Sequence, residues 1–215
     1  MGIVCSEERD RKFKNKSIEI SLNNINDDNY SFDGKKKSIT NKINNNYKKN
    51  NENRSINKEI LDELEEKALT KHNEFRQKHQ SKDLILSQKL SEMAKKFATK
   101  CAENNTINID HCPDLYHNDI IGQNIAVIKK SLFDIEKVCQ TWYSEGNNYD
   151  YNQNKYMSNT GHFTQIIWKE TKKVGFGYSE SKDGNIYFVA NYYPAGNIFN
   201  EFKKNVEKNN SFIDK

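Results

Sequence analysis

The amino-acid sequence predicts an α+β domain spanning residues 58–215, preceded by a disordered tail over residues 1–57. Three observations lead there. Residues 7–57 alternate Asn, Lys, Ser and Asp with isolated Ile, and Asn recurs in runs at 44–46 and 50–51. From about Lys58 the apolar residues recur at helical spacing. From Val174 the period switches to two, around a turn-forming segment from Ser181 to Asn185. Helices followed by an antiparallel sheet indicate α+β.

The tail is assigned from its chemistry. Between Gly34 and Asn51 there are six lysines and no acid. So little apolar surface cannot offset the entropy of ordering the chain. Residues 1–58 carry a charge of +5 and the remainder −1, within a total of 34 Lys and Arg against 30 Asp and Glu. A basic tail on a near-neutral globule calls for an anionic partner. Mean hydropathy is −1.01, and no stretch approaches the ~18 consecutive apolar residues of a membrane span. Collagen-like, disulfide-scaffold and transmembrane classes are excluded. About 150 residues remain for the domain, enough to bury a sound core.

The first helix places Ile60, Leu61, Leu64, Ala68 and Phe75 on one face, with charges opposite. A second is written by Leu90, Met93, Ala94, Phe97, Ala98 and Cys101. A third is expected to start at Ser131, with the Ser131 hydroxyl and Asp134 forming the cap and Leu132, Ile135, Val138 and Trp142 the buried stripe. A Tyr- and Asn-rich loop follows from Gly146 to Asn159, then a short segment from His162 to Lys169. Val174, Phe176 and Tyr178 alternate with glycines in one strand, and Ile186 to Tyr193 forms the return strand, stopped by Pro194.

Two sets of residues carry chemistry. The start, Met1-Gly2 with Ser6, fits N-myristoylation at Gly2, and Cys5 beside it is a palmitoylation candidate. One myristoyl chain binds membranes only marginally, so a second signal is needed. Cys5 supplies one, and the lysines from Lys35 to Lys49 supply attraction to anionic lipid. The first residues lack the apolar run of a secretory signal. Such a start, with no Cys-x-x-Cys pair among Cys5, Cys101, Cys112 and Cys139, predicts a reducing compartment. The second set is His111, Glu145 and His162, the ligand types of an open zinc site, though scattered in sequence.

Four segments arrive in a telling order: His72-Asn-Glu-Phe-Arg76, Trp142-Tyr-Ser-Glu145, Gly161-His-Phe-Thr-Gln-Ile-Ile-Trp168, and Asn191-Tyr-Tyr-Pro-Ala-Gly-Asn197. This series resembles the CAP superfamily (cysteine-rich secretory proteins, antigen 5, pathogenesis-related 1), and within it the Golgi-associated pathogenesis-related branch. The resemblance to that branch implies an acylated Met-Gly start and no signal peptide. The resemblance implies an α-β-α sandwich with an antiparallel central sheet and a large cleft. It makes His111, Glu145 and His162 the candidate ligands of zinc or another divalent ion. Gln123, in Gly122-Gln123-Asn124, stands where the family carries a second cleft Glu. An amide there can neither act as a carboxylate base nor add charge. Tyr149, Tyr151 and Tyr156 resemble the family's aromatic caveolin-binding spacing, a lipid or partner contact.

The function read from these residues is a non-secreted, lipid-anchored CAP-domain protein at the cytosolic face of the Golgi, another endomembrane or the plasma membrane. Its expected partners are anionic lipid, a sterol, a second copy of the chain and a caveolin-like protein, with no nucleic acid. The alternatives are a metal-assisted hydrolase using the His/Glu cleft and a secreted, defence-type CAP protein. With Gln at 123 and no nucleophile–base pair in the matched motifs, the enzyme is the weaker of these readings.

Overall fold

The computed structural model describes residues 59, 61–107, 121–157 and 159–209. Gly2, Cys5, the lysines of the tail and His111 lie outside them. Helix α1 covers residues 61–78 and is followed by a two-residue strand, β1 (Ile85–Leu86), and helix α2 (Gln88–Asn104). Asn105 ends α2 in the left-handed conformation, its N–H returning to the Cys101 carbonyl. Strand β2 (Gly122–Lys129) precedes helix α3 (Ile135–Ser144), a 3₁₀ turn (Glu145–Asn148) and helix α4 (Gly161–Ile167). Strands β3 (Lys173–Glu180) and β4 (Asn185–Tyr193) form the hairpin, and the short helix α5 (Phe202–Asn205) follows.

The sheet order is β1-β3-β4-β2. β4 pairs antiparallel with both β3 and β2, Asn191 lying opposite Gly175 on one side and Gln123 on the other. The expectation of an antiparallel sheet needs one correction, because β1 runs parallel to β3, with Ile85 opposite Lys173. Two residues are too few to show alternation in sequence, and their partner is far along the chain. β2 likewise falls between helices, so helices and strands interleave.

Alternation along β4 builds the layers. Phe188, Ala190 and Tyr192 pack with Phe75 of α1, Trp142 of α3 and Ile166 of α4. Tyr187 and Val189 face the other way, onto Ala94, Ala98 and Cys101 of α2. The sheet is thus covered on both faces, an α-β-α arrangement. Helix α2 lies directly on β3, since a Cβ added at Gly175 or Gly177 would overlap the backbone nitrogen of Ser91 or Lys95.

Helix α3 starts later than the sequence suggests. Asp134, not Ser131, is its cap, accepting from the N–H groups of Glu136 and Lys137. Ser131 sits in a 3₁₀ turn, Lys130–Leu132, and Leu132 is 72% exposed rather than part of the buried stripe. The cause is tertiary: the Lys130 N–H is held by the Gly184 carbonyl of the hairpin turn, so the chain leaves the sheet before it can coil. Ile135, Val138, Cys139 and Trp142 form the stripe.

Candidate functional site

Two elements meet to make the site. Glu145 ends α3, and His162 is the second residue of α4. One oxygen of the Glu145 carboxylate lies 2.7 Å from His162 Nδ1. The other accepts the backbone N–H of His162 at 3.0 Å and of Phe163 at 3.3 Å. Thr160, at the cap position of α4, makes no side-chain cap bond, so Glu145 satisfies those first amide groups from outside the helix. A carboxylate only accepts, so the imidazole proton sits on Nδ1. In the neutral ring this leaves the lone pair on Nε2, which has no hydrogen-bond partner among the described residues.

The imidazole is held on its face as well. Trp142 stacks on it at 5.6 Å and 19°, and itself stacks on Phe188 of β4. Asn124 of β2 donates to the His162 carbonyl at 3.1 Å and to the Tyr192 hydroxyl at 3.2 Å. That hydroxyl lies 2.8 Å from Nε2 of the buried His72, whose Nδ1 is 2.7 Å from the Ala68 carbonyl. A carbonyl cannot donate, so His72 carries its proton on Nδ1 and accepts from Tyr192. Burial holds His72 neutral, pushing its pKa down to about 4, with Arg76 adding to the effect. Burial also raises Tyr192 well above its ordinary value. An uncharged hydrogen-bonded network therefore connects α1 to the start of α4.

Of the residues singled out in the sequence, the structure brings Glu145 and His162 into direct contact. His111 lies outside the described residues. Gln123 is turned from Asn124 by the strand's alternation and donates to Asn191 Oδ1 at 2.8 Å, while Asn191 donates to the Leu90 carbonyl of α2. The Gln123 Oε1 is buried and has no partner among the described residues. Tyr149 is 7% exposed and packed on Tyr151 and Phe163, so Tyr151 and Tyr156 are the more accessible aromatics of that loop. Tyr151 lines a cavity of about 340 Å³ with His79, Tyr143 and Phe163. Burial there pushes its phenol up to about 12. No group of three His, Cys, Asp or Glu able to hold a metal gathers among the described residues.

Sequence reasoning missed His72, Asn124 and Tyr192 as a unit. The available signal was His72 sitting four residues from Ala68, on the apolar face of α1. Nothing in the sequence gives its partner 120 residues away.

Residues 69–192 match the model of the cysteine-rich secretory protein family, CAP. The chain is 38% identical over 141 residues to human Golgi-associated plant pathogenesis-related protein 1, covering 65% of this chain and 89% of that protein. It is 32% identical over 157 residues to venom allergen 5 of Vespa magnifica, covering 62% and 68%. Venom allergen-like protein 4 of Schistosoma mansoni superposes with a TM-score of 0.53 at 22% identity, covering 63% of this chain and 90% of that one. NaASP2, solved with Zn²⁺, gives 0.51 at 23% identity, covering 67% and 84%. At such identities the two structures show the shared fold.

Proposed function

The chain belongs to the cysteine-rich secretory protein (CAP) family, and from that premise we propose that it is a lipid-anchored CAP-domain protein. It binds membranes at their cytosolic face, in the Golgi or a neighbouring endomembrane. The observation that carries this reading is the 38% identity, across 89% of its length, to a human protein named for Golgi association. The Gly2 and Cys5 acylation pattern and the lysines at 35–37, 42, 48 and 49 support it, since an acyl chain and a basic segment together give stable anchoring. Sterol contact through Tyr151 and Tyr156, pairing with a second copy and binding of a caveolin-like protein belong to the same proposal.

Intact mass spectrometry of the protein from its own cells tests the anchor, with a myristoyl adduct expected on Gly2. Gly2→Ala should move the protein to the soluble fraction, and Cys5→Ser should leave weak, exchangeable membrane binding. Wild-type membrane retention of Gly2→Ala would sink the proposal.

The Glu145–His162 pair favours a second activity, binding of a divalent ion. An imidazole whose Nδ1–H is held by a carboxylate presents Nε2 as a ligand, the arrangement that orients zinc-bound histidines. The described donors fit one ligand of such a site, and His111 would supply the next. Bound zinc would contribute a Lewis acid that polarises water. The contribution of this chain is to fix the His162 ring through Glu145 and Trp142. Calorimetric zinc titration should show binding by the wild type and its loss in His162→Ala and in His111→Ala. Equal binding by all three would place the ion elsewhere.

A further inference from the structure

The loop after β4 ends in an apolar tip that the fold holds open to solvent. Ile198 is 48% exposed and Phe199 75%, and Tyr156, at 52%, stands on the adjoining loop. The tip is rigidly framed. Asn197 and Asn200, on either side of it, both adopt positive φ, at 60° and 63°, and the Glu201 N–H closes the turn on the Ile198 carbonyl. Asn197 is pinned by its amide to the Gly161 carbonyl and by Thr164 Oγ1 at 2.6 Å. Asn154 donates to the Asn200 carbonyl and accepts from the Lys203 N–H, tying the Tyr156 loop to the same frame. Such a tip has already lost the backbone freedom that binding would otherwise take from it.

Lysines flank it. Lys155 and Lys203 are exposed and make no ion pair among the described residues. Asp150 places its oxygens on Asn152 and Gln153, and the Asn152 N–H, with a smaller contribution from Lys155, lowers its carboxyl pKa. Lys204 is paired with Glu170 and Glu201. Three exposed apolar side chains are far fewer than the ~20 residues a stable protein interface takes from each partner. Phenylalanine, isoleucine and tyrosine beside lysines with no ion pair among the described residues instead suit the boundary between lipid headgroups and acyl chains, where rings and methyl groups enter and ammonium groups meet anionic phosphate.

We propose that Tyr156, Ile198 and Phe199, with Lys155 and Lys203, form a membrane-docking surface that inserts shallowly into an anionic bilayer. It rests on the membrane-binding reading above and gives the domain its own contact with lipid, separate from the tail.

The test uses the full 215-residue chain made without acyl chains, sedimented with phosphatidylcholine vesicles with or without phosphatidylserine. Wild type should bind the anionic vesicles. Lys155→Ala/Lys203→Ala should weaken partitioning by roughly tenfold or more, and Ile198→Ser/Phe199→Ser should weaken it on the same scale. Phe199→Trp should show a blue-shifted emission, quenched by shallow bromolipids, on anionic vesicles only. Wild-type binding by both double variants, with no shift in Phe199→Trp, overturns this surface and leaves the tail as the lipid-binding element. If unacylated wild type binds neither vesicle, this surface is overturned, while the acyl anchor, tested by Gly2→Ala, stands apart from it. If the serine variant binds lipid normally but loses a dimer seen by analytical sedimentation, the tip is a contact between copies and the lipid assignment is wrong.

Discussion

Glu145 has two tasks, and a single substitution separates them. Its carboxylate caps the first turn of α4 and orients the His162 ring. Glu145→Ala removes both, and should cost about 1–2 kcal/mol of stability through the uncapped amide groups. Glu145→Gln can keep one acceptor oxygen and should cost less. Urea denaturation checks the stabilities, and ¹⁵N shifts of His162 check the tautomer: Nδ1–H should dominate in wild type and both tautomers should appear in Glu145→Ala. An unchanged tautomer ratio would mean that the carboxylate does not set the position of the ring proton. Arg76 follows a different logic. Its buried guanidinium donates to the carbonyls of Lys82, Ile166, Trp168 and Thr171, four fixed acceptors that match its planar fork. Burial pulls its pKa down to about 10. Arg76→Lys keeps the charge but offers three donors on a different geometry, and should destabilise by roughly 2–3 kcal/mol in the same assay.

At the scale of elements, the closest packing is between α2 and β3. Ala94 and Ala98 on the helix and Gly175 and Gly177 on the strand remove the bulk that would separate them. Ser91 Oγ accepts a hydrogen bond from the Phe176 N–H at 3.1 Å. A methyl group at Gly175 or Gly177 meets backbone, which cannot swing aside as a side chain does. Gly177→Ala should therefore cost about 3 kcal/mol, at the upper end for overpacking. Gly184→Ala, in the hairpin turn, meets open space and should cost only the strain of its φ of 70°, about 1 kcal/mol. Thermal denaturation of the two variants should rank them in that order; the reverse ranking would mean that α2 can shift off the sheet at little cost.

The whole molecule carries its acid sensitivity in its interior. His72 is buried and neutral, with a pKa near 4 against 6.5 for the free side chain. Between those values the unfolded chain binds the extra proton, so stability complete above pH 6.5 falls as pH drops through the window. The loss amounts to roughly 3 kcal/mol at its lower end. His79 adds to it: burial lowers its pKa also, and its ring is fixed between the Glu207 carbonyl and the Tyr143 hydroxyl. Urea midpoints across this range should fall with pH, and His72→Gln should flatten the slope while lowering stability at neutral pH. An unchanged slope would assign the acid response to other groups.

Periodicity determined α1, α2 and the β3–β4 hairpin, because each buries one face that its own local pattern writes: Leu90, Ala94, Ala98 and Cys101 in α2, and the alternation about Gly175 and Gly177 in β3. The motifs around Glu145 and His162 were legible through the family resemblance, and the structure brings the two side chains into contact. Tertiary structure alone decided three matters. The parallel β1 pairs with residues far away in the chain, and two residues hold no pattern. The start of α3 was fixed by the hairpin turn's grip on Lys130, against the local signal at Ser131. Tertiary packing also placed Asn124, and not Gln123, beside His162, because adjacent residues of a strand face opposite ways and only the position of α4 says which face matters.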